Sequence, residues 1–156
     1  MKKRILTWLL AISMLGSLLT VPAGAAAVTK FSDVSDSYTA TAVESLRLMG
    51  VLDGYGDGTF RPDTVLNRAQ FCKMAVYAMD GSGELGRYST VTIFPDVKPS
   101  HWASAYINMA ARKGIISGFA DGKFKPGQTV TAGQAVTILM RGLGYKYEDM
   151  GGVWPQ

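Results

Sequence analysis

The chain has 156 residues, 47% hydrophobic and 18% charged, with a formal net charge of +4 and a single cysteine. That apolar share is enough for a packed core and excludes a chain that is disordered throughout, and one cysteine excludes an internal disulfide. Without Lys2, Lys3 and Arg4 the charge falls to +1, so the basic balance gives no support to nucleic-acid binding.

Those three cations open residues 1–27, where an apolar run from Ile5 to Leu19 leads to Pro22 and the small residues Ala23 to Ala27. This is the layout of a secretory signal peptide, with cleavage expected after Ala25 or Ala27. The run is shorter than the ~20 residues a spanning helix needs, so the expected product is secreted, with no membrane contact after cleavage.

The rest of the chain repeats itself. Phe31, Asp33 and Val34 return as Phe94, Asp96 and Val97, and from Tyr38 onward the offset is a constant 64 residues, pairing Tyr38 with Trp102, Gly54 with Gly118 and Phe60 with Phe124. Such a period marks a repeat protein whose units must stack to bury their apolar faces. The units are placed at 28–80 and 94–144, joined by a linker over 81–93, with the start of a third over 145–156 carrying Tyr147, Asp149, Met150 and Trp154.

Within each unit the pattern predicts helix, glycine-rich turn, helix. Tyr38, Ala42, Val43 and Leu46 fall near helical spacing, as do Trp102, Ala105, Tyr106, Met109 and Ala110. Gly50 and Gly114 follow as C′ glycines. Asn67 with Gln70, and Thr131 with Gln134, have the spacing of a capping box that starts a second helix. Its apolar stripe is Phe71, Met74, Ala75 and Ala78, and in the second copy Ala135, Ile138, Leu139 and Gly142. Gly81-Ser82-Gly83 through Gly86 reads as a flexible link. Cys72 is matched by Val136, so it is expected to be a buried small hydrophobe. The expected fold is all-α, tandem helix-turn-helix repeats with Gly-rich loops.

The string Phe-x-Asp-Val, an aromatic seven or eight residues on, Gly-Val/Ile, Gly-Tyr/Phe-x-Asp-Gly-x-Phe-x-Pro and a Thr-Arg-Ala-Glu-like helix start resembles the S-layer homology (SLH) repeat. The resemblance implies a pseudo-three-fold bundle that anchors an exported protein non-covalently to the secondary, pyruvylated polysaccharide of a Gram-positive-type wall. It also implies ligand-groove roles for Arg68, the Arg of that helix start, and for Trp102. Arg68 at a helix tip is placed to grip a carboxylate beside unpaired N–H donors, and Trp102 to stack on a sugar; a solvated helix-start cation and a core aromatic are the other roles for the two. Gly54 and Gly118 would allow close backbone approach, with Gln70, Asp33 and Asp96 as further ligand-site candidates; hydrogen bonding that braces their loops is the other role for the two aspartates. On this reading Arg68→Ala loses wall retention with an intact fold. Tyr38, Gln70, Gln134 and Ala132-Gly133 depart from the family pattern, leaving at most one fully equipped groove, at Arg68.

Self-association to complete the bundle is a further expected partner relationship, beside the wall polysaccharide. The alternative function is a calcium-dependent protein-interaction module, from Asp53 to Gly58, but Tyr55 and Thr64 occupy positions where a calcium loop needs carboxylates. No metal or cofactor is expected. His101, the one histidine, has Ser37 as its counterpart and no positioned nucleophile, so no enzymatic activity is expected.

Overall fold

The computed structural model describes residues 30–79 and 82–150. The expected signal peptide over 1–27 and Trp154 lie outside the described residues. The fold is all-α, with α1 at Ser37–Leu48, α2 at Arg68–Ala78, α3 at Ser104–Arg112 and α4 at Ala132–Gly142, plus 3-10 helices at Ser82–Tyr88 and Tyr147–Met150. Among the described residues the β pairing is an isolated bridge between Asn67 and Thr129.

Local chemistry sets these boundaries. The Asp36 carboxylate accepts from the Thr39 N–H and starts α1. At its end Gly50, with φ of 71°, donates to the Arg47 carbonyl while the Val51 N–H returns to Leu46. Gly114, also at 71°, closes α3 the same way through Ala111 and Ala110. Both are left-handed closures that glycine makes at little cost. The full reciprocal capping box forms at Asn67 and Gln70. At Thr131 the forward bond from the Gln134 N–H is present, while the Gln134 side-chain oxygen accepts from Arg68.

The segment 82–88 is more ordered than its glycine content indicates. It packs on α3, Leu85 and Tyr88 join the core, and Lys113 pairs with Glu84 at 2.9 Å. The buried Asn108 side chain donates to the Tyr88 and Val91 carbonyls, fixing the chain that enters the second unit. A buried amide serving main-chain acceptors in this way is satisfied rather than functional.

The main core is shared between the units. The larger cluster joins Ala69, Cys72, Ala75 and Val76 of α2 to Ile107, Met109 and Ala110 of α3, with Phe94, Phe124 and Ile138. A smaller cluster gathers Phe31, Val34, Ala40, Val43 and Leu52. Thus α2 packs on α3 and α4, and the second helix of one unit is buried by the first helix of the next. Cys72 lies in that junction as expected, fully buried, and burial pushes its thiol up to about 12.

Candidate functional site

The Gly-rich loop after α1 is built by main-chain hydrogen bonds and one carboxylate. Asp33 accepts from the Phe60 and Arg61 N–H groups at 2.7 and 2.6 Å, which lowers its pKa. Asp96 does the same for Phe124 and Lys125 at 2.9 and 2.7 Å. Desolvation opposes ionisation of Asp96, and the two N–H donors outweigh it, so its pKa is also lowered. Both aspartates therefore brace their loops, holding Arg61 and Lys125 at φ values of 61° and 58°. Left-handed conformations at non-glycine residues persist only where neighbours enforce them.

That brace sets the direction of the cations. Arg61 lies over the Tyr55 ring at 4.0 Å and pairs with Asp57 at 2.7 Å. The second unit repeats the arrangement with Lys125, Phe119 and Asp121. Hydrogen bonds from Thr59 and from Arg61 bring the Asp57 carboxyl down to about 2.

Gly54 and Gly118 answer to packing. A Cβ on Gly54, whose φ is +72°, would stand 2.1 Å from Phe31 Cε1, and one on Gly118 would stand 2.7 Å from Phe94 Cε1. Each glycine lets the opening Phe of its unit slide beneath the loop, where Phe31 meets Phe60 and Phe94 meets Phe124.

Between the first loop, α2 and the second unit lies a groove of about 370 Å³. It is lined by Asp53, Gly54, Tyr55 and Arg61 of the loop, by Gln70 and Lys73 of α2 and by Trp102 of the second unit. Leu52, Phe60 and Met74 make its apolar floor. Trp102 stands in the turn before α3, 56% exposed, with His101 stacked on it at 5.7 Å. Lys73 Nζ is 3.7 Å from Asp53. Exposed ion pairs of this kind contribute little stability, so Lys73 can turn to an incoming anion, while Arg61 presents its cation from a place fixed by Asp57, Thr59 and Tyr55. The groove thus combines flat rings, cations and an apolar floor, which suits a saccharide bearing negative charge.

Arg68 is elsewhere. It is 5% exposed, and its guanidinium reaches across to the second unit, donating from Nε to Phe124 O at 2.8 Å, from Nη1 to Gln134 at 3.1 Å and from Nη2 to Ser117 O at 3.4 Å. The Phe119 and Phe124 rings flank it, each 4.6 Å away. Burial lowers its pKa. The donors of the α2 tip are also occupied. The Arg68 N–H goes to Gln128 O, Ala69 to Pro126 O, Gln70 to the Asn67 side chain and Phe71 to Asn67 O. The expectation of unpaired N–H groups at this tip is thereby corrected, because the following unit supplies acceptors for two of them and Asn67 for the other two.

Of the seven residues singled out from sequence, Gly54, Gln70 and Trp102 share the groove. Arg68 and Gly118 belong to the junction with the second loop, and Asp33 and Asp96 lie behind their loops. Sequence reasoning passed over Arg61 and Lys73. The signal was available for Arg61, since Arg61 and Lys125 keep a cation at one repeat position; Lys73 has Thr137 as its equivalent and gave none.

A family model described as "S-layer homology domain" matches residues 30–72 and 93–136, together more than half of the chain. The chain belongs to the S-layer homology family. Its SLH units resemble a "Surface layer protein" of Brevibacillus choshinensis, 34% identical over 92% of this chain and 13% of that protein. A "Cell surface protein" of Thermoanaerobacter kivui is 36% identical over 85% of this chain and 17% of that protein. A "Cellulosome-anchoring protein" of Acetivibrio thermocellus is 31% identical over 72% and 26%. The SLH chain therefore spans about a quarter or less of the length of these relatives. Family and relatives mark it as a cell-surface protein. Among the described residues no helix is long and apolar enough to cross a membrane.

Proposed function

We propose that this SLH chain is a non-catalytic wall-anchoring module whose inter-unit groove binds an acidic, pyruvylated secondary polysaccharide, after export directed by residues 1–27. The observation that carries the reading is the meeting of Trp102 with Lys73 and Arg61 around one apolar-floored groove. A ring for a sugar face and cations for a carboxylate line one groove. The anchoring named in the Acetivibrio thermocellus relative supports it. Similarity to an "Uncharacterized cell wall amidase" of Bacillus anthracis, 29% identical, covers 30% of that protein, which fits a targeting module carried by an enzyme. The calcium-dependent reading is the weaker one, since Tyr55 and Thr64 stand where a calcium loop needs carboxylates and Asp57 already accepts from Thr59 and Arg61.

The test is co-sedimentation of the chain with purified Gram-positive walls, with walls stripped of their non-peptidoglycan polymer, and with walls from which ketal-linked pyruvate has been removed by mild acid. Binding to the first and loss on both others is expected. Equal binding to stripped walls would overturn the reading, and equal binding after pyruvate removal would restrict it to a neutral glycan.

A further inference from the structure

A pair of tyrosine hydroxyls stands beside the groove and takes no part in lining it. Lys73 and Tyr77 are four residues apart on α2, which puts them on one face of that helix, and Tyr106 of α3 follows Trp102 by the same step. The two tyrosines meet across the junction, their ring centroids 5.8 Å and their hydroxyl oxygens 3.3 Å apart. Lys73 Nζ ties this pair to the groove, lying 5.6 Å from the Tyr77 ring centroid and 3.7 Å from an Asp53 carboxylate oxygen. Burial and the bond to Tyr77 push the Tyr106 hydroxyl up to about 12, with the charge of Asp53 acting in the same direction. That hydroxyl is therefore protonated at neutral pH, and Asp53 is within electrostatic reach of it.

Two hydroxyls bonded to each other share one proton, and the second proton and the spare lone pairs call for partners elsewhere. Both tyrosines are only partly buried, and among the described residues neither hydroxyl has a second protein partner. The repeat does not ask for these groups. In the 64-residue register Asp53, Lys73 and Tyr77 correspond to Ser117, Thr137 and Arg141, and Tyr106 to Ala42. The bracing aspartate, the opening phenylalanine and the loop glycine, by contrast, stand in both units. The polar cluster is thus a property of this junction and not of the scaffold of a unit. A phenol proton, phenol lone pairs and a carboxylate are the partners that sugar hydroxyls take, and the Asp53 charge disfavours a second anion.

We infer that Tyr77, Tyr106 and Asp53 form a second saccharide subsite, which hydrogen-bonds the hydroxyls of an uncharged sugar residue next to the acidic one. The inference rests on the glycan reading of the groove and deepens it: the site takes at least two consecutive residues of the polymer, with Lys73 standing between the two subsites.

Calorimetric titration with two probes tests it, one a methyl glycoside of a hexose carrying ketal-linked pyruvate, the other the intact acidic polymer released from Gram-positive walls. Tyr77→Phe with Tyr106→Phe keeps both rings and removes both hydroxyls, and each single variant keeps one. The double variant is expected to bind the polymer about tenfold more weakly and the glycoside within about twofold of wild type, with an unfolding midpoint close to wild type and the single variants in between. Trp102→Ala is expected to lose affinity for both probes. Undiminished polymer binding by the folded variants overturns the inference, and so does an equal loss on both probes, which would assign the hydroxyls to the first sugar or to the shape of the groove. A wild type that binds neither probe sinks the glycan reading and this inference with it, whereas one that binds both, beside undiminished tyrosine variants, sinks this inference alone.

Discussion

Arg68 Nε donates to the carbonyl of Phe124, 56 residues further along the chain, at 2.8 Å. The arginine fastens the first unit to the second, and its removal strands acceptors rather than simply emptying a site. Arg68→Ala leaves the Phe124 and Ser117 carbonyls without this donor in a buried junction, so a loss of about 2–4 kcal/mol is expected. Arg68→Lys should recover only part of it, because an ammonium cannot serve acceptors in three directions of a planar fork. Urea unfolding of the three chains checks this. It also replaces the outcome expected from sequence, where loss of wall retention came with an intact fold.

Gly54 and Gly58 separate two costs. Gly54→Ala places a methyl 2.1 Å from Phe31 Cε1 at a φ of +72°, whereas Gly58, at +79°, has nothing within 4 Å. The first combines overpacking with left-handed strain, about 3 kcal/mol, and the second carries strain alone, about 1 kcal/mol. Thermal unfolding should rank them in that order, and equal losses would mean that the Phe31 contact yields.

Acid should loosen the loops. Asp33, Asp96 and Asp57 all have lowered pKa values in the folded chain, Asp57 falling from the ordinary 3.8 to about 2. The unfolded state then binds more protons, so their stabilisation is complete above about pH 4 and is lost as pH falls toward 2. Asp96→Asn keeps the shape and removes one titrating charge. Its stability is expected to be lower at pH 7 and to fall less steeply below pH 4, as read from unfolding midpoints across that range.

Much of this fold is legible in the sequence because its signals are local. Gly50 and Gly114 as helix stops and the Asn67 and Gln70 box each depend on residues within a turn of one another, and the 64-residue register needs only that the same short string be read twice. Cys72 was legible too, through its repeat partner Val136. What escaped depends on distant chain. Arg68 looks like a solvated helix-start cation until Phe124 and Gln134 arrive around it, and 81–93 looks like a free linker until Asn108 and Lys113 hold it. Lys73 becomes a groove residue only when the loop after α1 and Trp102 of the other unit come together beside it.

The groove variants separate binding from folding. Trp102 is half exposed and Lys73 makes a long, solvent-accessible ion pair, so Trp102→Ala and Lys73→Met are each expected to cost under about 1 kcal/mol of stability. Retention on walls carrying their acidic polymer, measured for these two variants beside the wild type, is the most direct test. The account predicts at least a tenfold loss of retention, about 1.4 kcal/mol or more, for both chains with unfolding midpoints close to wild type. Undiminished retention of folded Trp102→Ala and Lys73→Met would place the binding surface outside this groove and contradict the account.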